Sequence, residues 1–207
     1  MNEKLVTGQY MTAVSSVYAQ RLIMTLFLVS FGIYLFLATV TYTPFDPGWM
    51  HISSDTQQVS NASGVAGAWI ADLLFGFLGW ASLLIPIFLF VEAIQVWWPY
   101  SFLNKPFRYA AQFFILLATS SLLYLYWQVP ADTLDNSSGG IIGYELGESL
   151  SQILTIYGAT VFLVVFWLVL FTLTFGVKWN KTWATLKATP AYLQDLFYKK
   201  IRLVLIL

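Results

Sequence analysis

Few residues of this chain have the type and surroundings to do chemistry, and they stand far apart. Asp72 is the only charged residue in the apolar stretch 65–91, and a carboxylate at membrane depth is a pointer to ion or proton handling. It also stands one or two turns from the outer start of its expected helix, where the helix dipole and the nearby interface favour a carboxylate with no transport role. Both readings of Asp72 stay open. Glu92 follows at the inner end of the same stretch, within reach of Lys105 or Arg108 across the next connection, so a surface ion pair or plain solvation is expected there. Asn61-Ala62-Ser63-Gly64 is superficially close to the G-x-S-G of membrane serine proteases. Yet position 61 is Asn, Ser63 stands at the water interface, and His51, the single histidine, falls in a loop. One His and no Cys exclude a multi-histidine site, a thiolate metal site and a disulfide framework, and His51 reads as a solvated loop residue. No G-x-x-x-x-G-K-[ST] loop for nucleotide phosphates occurs either. The sequence therefore offers no catalytic residue, no cofactor site and no metal site.

The elements that must hold these residues are membrane helices. The 207 residues are 18% aromatic and 10% charged, with a mean hydropathy of +0.71, too apolar for a soluble domain of that length. Residues 22–40 carry no charge and would extend about 29 Å as a helix, close to the hydrocarbon thickness of a bilayer. Further apolar stretches at 65–91, 109–127 and 153–177 complete an all-α polytopic domain over residues 22–177. Its four transmembrane helices form two hairpins, with external loops 41–64 and 128–152. The first stretch is too long for a signal-peptide core and no A-x-A pattern follows it, so it reads as a retained signal anchor. Residues 12–20 are expected as a short helix leading into it. Pro86 removes an amide donor and frees the carbonyl of Ser82, which predicts a kink in the second helix.

All ten Lys and Arg residues lie on one side of these helices. Lys4 and Arg21 precede the first, Lys105 and Arg108 separate the second from the third, and Lys178, Lys181, Lys187, Lys199, Lys200 and Arg202 follow the fourth. Because cations are retained on the cytoplasmic side during insertion, residues 1–21 and 178–207 are both cytoplasmic. Glu3, Glu92 and Asp195 reduce that side to +7, while Asp46, Asp55, Asp72, Asp132, Asp135, Glu145 and Glu148 give the other −7. The basic inner surface suits anionic lipid. Tyr192, Leu193, Leu196, Phe197, Ile201 and Val204 keep helical spacing, with Lys199, Lys200 and Arg202 elsewhere on the wheel, which predicts an amphipathic helix along the inner membrane surface. Trp179 and Trp183 belong to the same interface. Ending on Leu203-Val204-Leu205-Ile206-Leu207, the chain reads as a truncated fragment that would continue into a linker and a further domain.

On the outer side, Pro44 and Pro47 forbid helix continuation, Asp46-Pro47-Gly48 reads as a turn, and Trp49 is the kind of ring that sits at headgroup level. A tight exit turn pinned to the outer surface is expected. Residues 63–74 also align without gaps on residues 139–150, pairing Gly64 with Gly140, Gly67 with Gly143, Ala71 with Gly147 and Asp72 with Glu148. Each stretch leads into an inward-going helix, so the hairpins read as a parallel repeat. Gly64, Gly67, Ala68 and Ala71 follow i, i+3, i+4, i+7, while Gly139, Gly143, Gly147 and Ser151 recur every four residues. Such stripes let helix backbones approach closely. They pack the two hairpins within one subunit, or they face another subunit or another membrane protein.

Taken in order, Tyr42-Thr43-Pro44-Phe45-Asp46-Pro47-Gly48-Trp49, Gly64-Val65-Ala66-Gly67-Ala68-Trp69-Ile70-Ala71-Asp72-Leu73-Leu74, Gly139-Gly140-Ile141-Ile142-Gly143 and Leu173-Thr174-Phe175-Gly176-Val177-Lys178-Trp179 resemble the N-terminal membrane domain of the FtsK/SpoIIIE DNA translocases. The resemblance covers roughly residues 22–183. It implies a membrane anchor and assembly domain at the division septum of the bacterial inner membrane, joined by a linker to a hexameric ATPase that pumps chromosomal DNA. Its implied partners are the bilayer, other cell-division membrane proteins and further copies of the chain. ATP, Mg and DNA binding would belong to a C-terminal motor, because the Walker motifs and a DNA-reading winged helix are not in this sequence. The competing reading is a small ion- or proton-coupled transporter built on the parallel repeat, with Asp72 as its coupling carboxylate.

Overall fold

A computed structural model of the chain describes residues 2–50, 59–127 and 138–190, with side chains from residue 16 onward. The described chain is helical and contains no strand. Its order is α1 (Asn2–Val40), α2 (Gly64–Leu78), a 3-10 turn (Gly79–Leu83), α3 (Leu84–Trp97), α4 (Lys105–Tyr126) and α5 (Gly140–Phe175). Residues 179–190 form a further helical stretch. Four candidate spans, Ser16–Val40, Gly64–Trp97, Lys105–Tyr126 and Gly140–Phe175, are long and apolar enough to cross a bilayer, so the chain is a multi-pass membrane protein.

Local sequence explains where these helices start and stop. No proline or glycine falls between Gly8 and Gly32, and α1 absorbs residues 12–20 as its own continuation instead of a separate helix. Pro106 opens α4 at a position whose amide has no helical partner in any case. Gly176 ends α5 in the left-handed conformation, with φ +59.

The second and fourth candidate spans are too long to be straight. Their 34 and 36 residues would extend about 51 and 54 Å, against about 30 Å of hydrocarbon. Both are broken, and at equivalent places. Gly64 and Gly140 open the two helices with φ +72 and +64. Fifteen residues after each, Gly79 (φ 58, ψ −141) and Thr155 (φ 61, ψ 164) leave helical geometry. Pro86, expected to kink the second helix, instead lies in the first turn of α3, where it costs no helical hydrogen bond. The break falls at Gly79 because a residue without Cβ enters that backbone region freely.

The segments before the breaks do not descend into the membrane. Ser63 bonds the carbonyl of Tyr34 and Asn61 that of Ala38, whereas Asp72 and Phe75, further along, both meet Tyr42. α2 therefore advances outward beside α1. The 3-10 turn and α3 make the descent: Phe90 faces Gly32, and Trp97 reaches Thr25 and Tyr18. In the second copy, Gly143 lies on Ser120, and Gly147, Tyr144 and Glu148 lie on Tyr124. Residues 156–175 then descend antiparallel to α4, with Thr160 on Tyr126, Trp167 on Thr119 and Leu173 on Phe102.

Each repeat is thus a spanning helix, a short outer helix and a second spanning helix. This corrects the expected spans 65–91 and 153–177 and the expected external loop 128–152, of which residues 140–152 are helical. α2 is as apolar as a span and runs into one without a polar break in the sequence, whereas Glu145 and Glu148 give the equivalent helix the composition of a loop. Phe88, Ile115 and Leu116 form the core between α3 and α4, with Trp167, Leu170 and Phe175 of α5 packed against it.

Candidate assembly site

Polar side chains buried at the helix ends hold this arrangement together. After α1, Pro44 occupies the second position of a Thr43–Asp46 turn, closed by the Asp46 amide donating to the Thr43 carbonyl at 3.3 Å. The turn expected at Asp46-Pro47-Gly48 is thus centred earlier, where Pro44 presets φ, and Asp46 does a different job. Only 5% exposed, it accepts the backbone N–H groups of Ser60 (2.8 Å) and Asn61 (2.9 Å), drawing the two ends of the loop together. Asn61 donates its side-chain amide to the Ala38 carbonyl at 2.8 Å, and the Ser63 hydroxyl donates to the Tyr34 carbonyl at 3.0 Å. The protease-like quartet is a fastening of the turn onto α1.

Asp72 is 3% exposed. It accepts the Met50 N–H at 2.6 Å and the Tyr42 hydroxyl at 3.5 Å, and Gly48 leaves room for its carboxylate. Pro47 is half-buried, while exposed Trp49 meets the edge of Trp69, ring centroids 6.5 Å apart. Sequence reasoning placed Asp72 at the outer end of its helix but missed that the preceding loop folds over it. The second copy repeats the pairing: the Tyr124 hydroxyl donates to Glu148 at 3.1 Å, and the Gln152 amide does so at 3.1 Å.

Most of the small residues of the two stripes are buried against this chain's own side chains and backbone. Gly67 is buried over the side chains of Ser63 and Asn61, Ala68 and Ala71 are buried, and Gly64 has nothing near its missing Cβ. Gly139 and Gly143 press on the Ser120 carbonyl and Gly147 on the Tyr124 ring, while half-buried Ser151 donates to the Glu148 carbonyl. Where the copies meet, a Cβ on Gly140 would stand 2.6 Å from the Gly79 nitrogen. The Trp80 N–H donates to the Ser138 carbonyl at 2.9 Å, and the Ser120 hydroxyl donates to the carbonyls of Leu78 and Gly139. The start of the second outer helix is therefore seated in the break that ends the first.

At the cation-bearing end, the expected surface ion pair is buried. Arg108 grips Glu92 with two parallel bonds, Nε to Oε1 at 2.7 Å and Nη2 to Oε2 at 2.5 Å. Gln112 adds a third donor at 2.7 Å, and all three residues are at most 7% exposed. Burial is tolerable because the fork and the amide replace the carboxylate's lost hydration. The available signal was Arg108 and Gln112 four apart near the start of α4, presenting two donors on one face. Lys178, Lys181 and Lys187 are exposed beyond α5, with Lys187 over the Trp183 ring at 5.3 Å. His51, the amphipathic stretch from Tyr192, and Lys199, Lys200 and Arg202 within it lie outside the described residues.

Fold and contacts define a class: a polytopic helical membrane domain made of two parallel copies, interlocked outside by glycine turns and inside by an ion pair. The chain belongs to the FtsK/SpoIIIE family, since residues 19–187 match the 4TM region of DNA translocase FtsK/SpoIIIE. It is 34% identical over 163 residues to the DNA translocase FtsK of Pseudomonas syringae pv. syringae, covering 74% of this chain and 20% of that protein. With the DNA translocase FtsK of Pseudomonas aeruginosa the identity is 38% over 152 residues, 69% of this chain and 18% of the relative. The chain thus spans about a fifth of the length of these relatives. No solved structure matches it.

Proposed function

We propose that this chain is the membrane anchor and assembly domain of a septal DNA translocase that couples chromosome segregation to cell division, with no catalytic activity of its own. The observation that carries the proposal is the family match over residues 19–187. The geometry supports it: the buried carboxylates Asp46, Asp72 and Glu92 are spent on backbone amides, a phenol, a guanidinium and an amide of the fold itself. The basic inner end rests on anionic lipid of the bacterial inner membrane and leads to a C-terminal motor, which would bring ATP, Mg and DNA. Its proposed partners are other cell-division membrane proteins, met on the acidic outer side, and further copies of itself in a hexamer.

Reading the coding frame beyond Leu207 tests this. A linker followed by a G-x-x-x-x-G-K-[ST] motor is the expected continuation, and a stop codon with no motor downstream would contradict the translocase assignment.

A further inference from the structure

We propose that α2 climbs outward through the outer lipid leaflet beside α1, with Val65, Trp69, Leu73 and Phe77 immersed among the lipids. The inference goes beyond the anchor reading, because it assigns a lipid-binding surface to one outer helix and withholds it from the other. α2 runs outward beside α1, so it is not the first half of a descending span. Its inward face carries Gly67, Ala68, Ala71, Asp72, Phe75 and Gly76, all buried. The opposite face exposes Val65 (54%), Trp69 (45%), Leu73 (39%) and Phe77 (40%), four apolar residues at a four-residue spacing. The helix's only polar side chain, Asp72, is turned inward, so α2 lacks the polar face that a water-exposed helix needs.

Two observations identify lipid as the occupant. The stripe is of the same apolar, exposed kind as the surface that the spanning helices show to acyl chains, represented by Val40 on α1 and Ile87 on α3. Beside it Trp49, 69% exposed, stands edge-on to Trp69, and amphipathic rings of this kind settle at headgroup level. The equivalent helix of the second copy is built differently. It exposes Glu145, Ser149 and Gln152 along with Tyr144 and Leu146, a mixed face carrying the polar groups that the exposed face of α2 lacks.

The chain has no cysteine, so single Cys variants at 65, 69, 73 and 77, with 149 and 152 as controls, can each carry one spin label. The protein is reconstituted in phosphatidylcholine/phosphatidylglycerol vesicles, and label accessibility to oxygen and to a water-soluble nickel chelate gives depth. The four stripe labels are expected to be oxygen-accessible, with depth decreasing from 65 to 77 as α2 advances outward beside α1, and the controls chelate-accessible. Ala66→Cys, a small change at an exposed position, repeats the reading should Trp69→Cys fail to fold. A depth that increases steadily by about 18 Å from 65 to 77 would restore a straight span and overturn the proposal. Stripe labels shielded from both reagents would put protein over the stripe, and chelate-accessible ones would put water there; either result also overturns it.

Discussion

Asp72 and Glu92 are both buried acids of the first repeat, yet they are held by different chemistry and should respond differently to change. Glu92 is charge-paired, so Glu92→Ala leaves Arg108 buried without its partner and should cost about 3–5 kcal/mol of unfolding free energy. Replacing both residues with Leu should recover most of that, because an apolar pair of similar volume removes both charges together. Denaturant titration in detergent compares the two variants. Asp72 holds a loop, and Asp72→Asn should cost about 1–3 kcal/mol by weakening its bonds to Met50 and Tyr42. In proteoliposomes the anchor reading predicts no proton- or ion-driven flux for that substitution to abolish, whereas the transporter reading requires one. The opening glycines give a further contrast. Gly64→Ala meets only the left-handed backbone penalty, about 1–2 kcal/mol, since nothing lies near the new Cβ. Gly140→Ala meets the same penalty and also collides with backbone at Gly79, so its melting temperature should fall further.

At the scale of elements, sequence and structure agree where a signal is local and part where it depends on neighbours. The outer ends of α1 and α4 were legible, close to the expected Val40 and residue 127, whereas both helices begin earlier than the expected residues 22 and 109. The glycine pairing was legible too, and Gly64 and Gly140 share left-handed φ as that pairing suggests. What twelve aligned residues could not reveal was that the repeat continues to the breaks, since Gly79 and Thr155 have no side-chain chemistry in common. Nor does a hydropathy run separate an outer helix from the span that follows it. The ion pair is half legible in the sequence: Glu92 stands within reach of Lys105 or Arg108, but the choice of Arg108 and its burial are settled by how α3 and α4 pack. Thr155 holds a conformation that is nearly glycine's alone, at a cost of about 1–3 kcal/mol. Thr155→Gly should therefore raise stability by about 1 kcal/mol or more, measured by thermal unfolding in detergent, while Gly79→Ala, pressed against the Ser138 carbonyl, should lower it.

For the whole molecule, the distribution of Lys and Arg sets the orientation, and the repeat gives the two faces different work. The outer face is a pair of short helices, one apolar and one carrying acids, tied by Tyr42 to Asp72 and by Tyr124 to Glu148. The inner face is an ion-pair lock followed by exposed cations. Such a domain is an anchor only if it goes where the motor is needed. Imaging a fluorescent fusion of residues 1–207 in dividing cells tests that most directly. The account predicts a band at the division septum, and even labelling of the whole cell periphery by a folded, membrane-inserted fusion would contradict it.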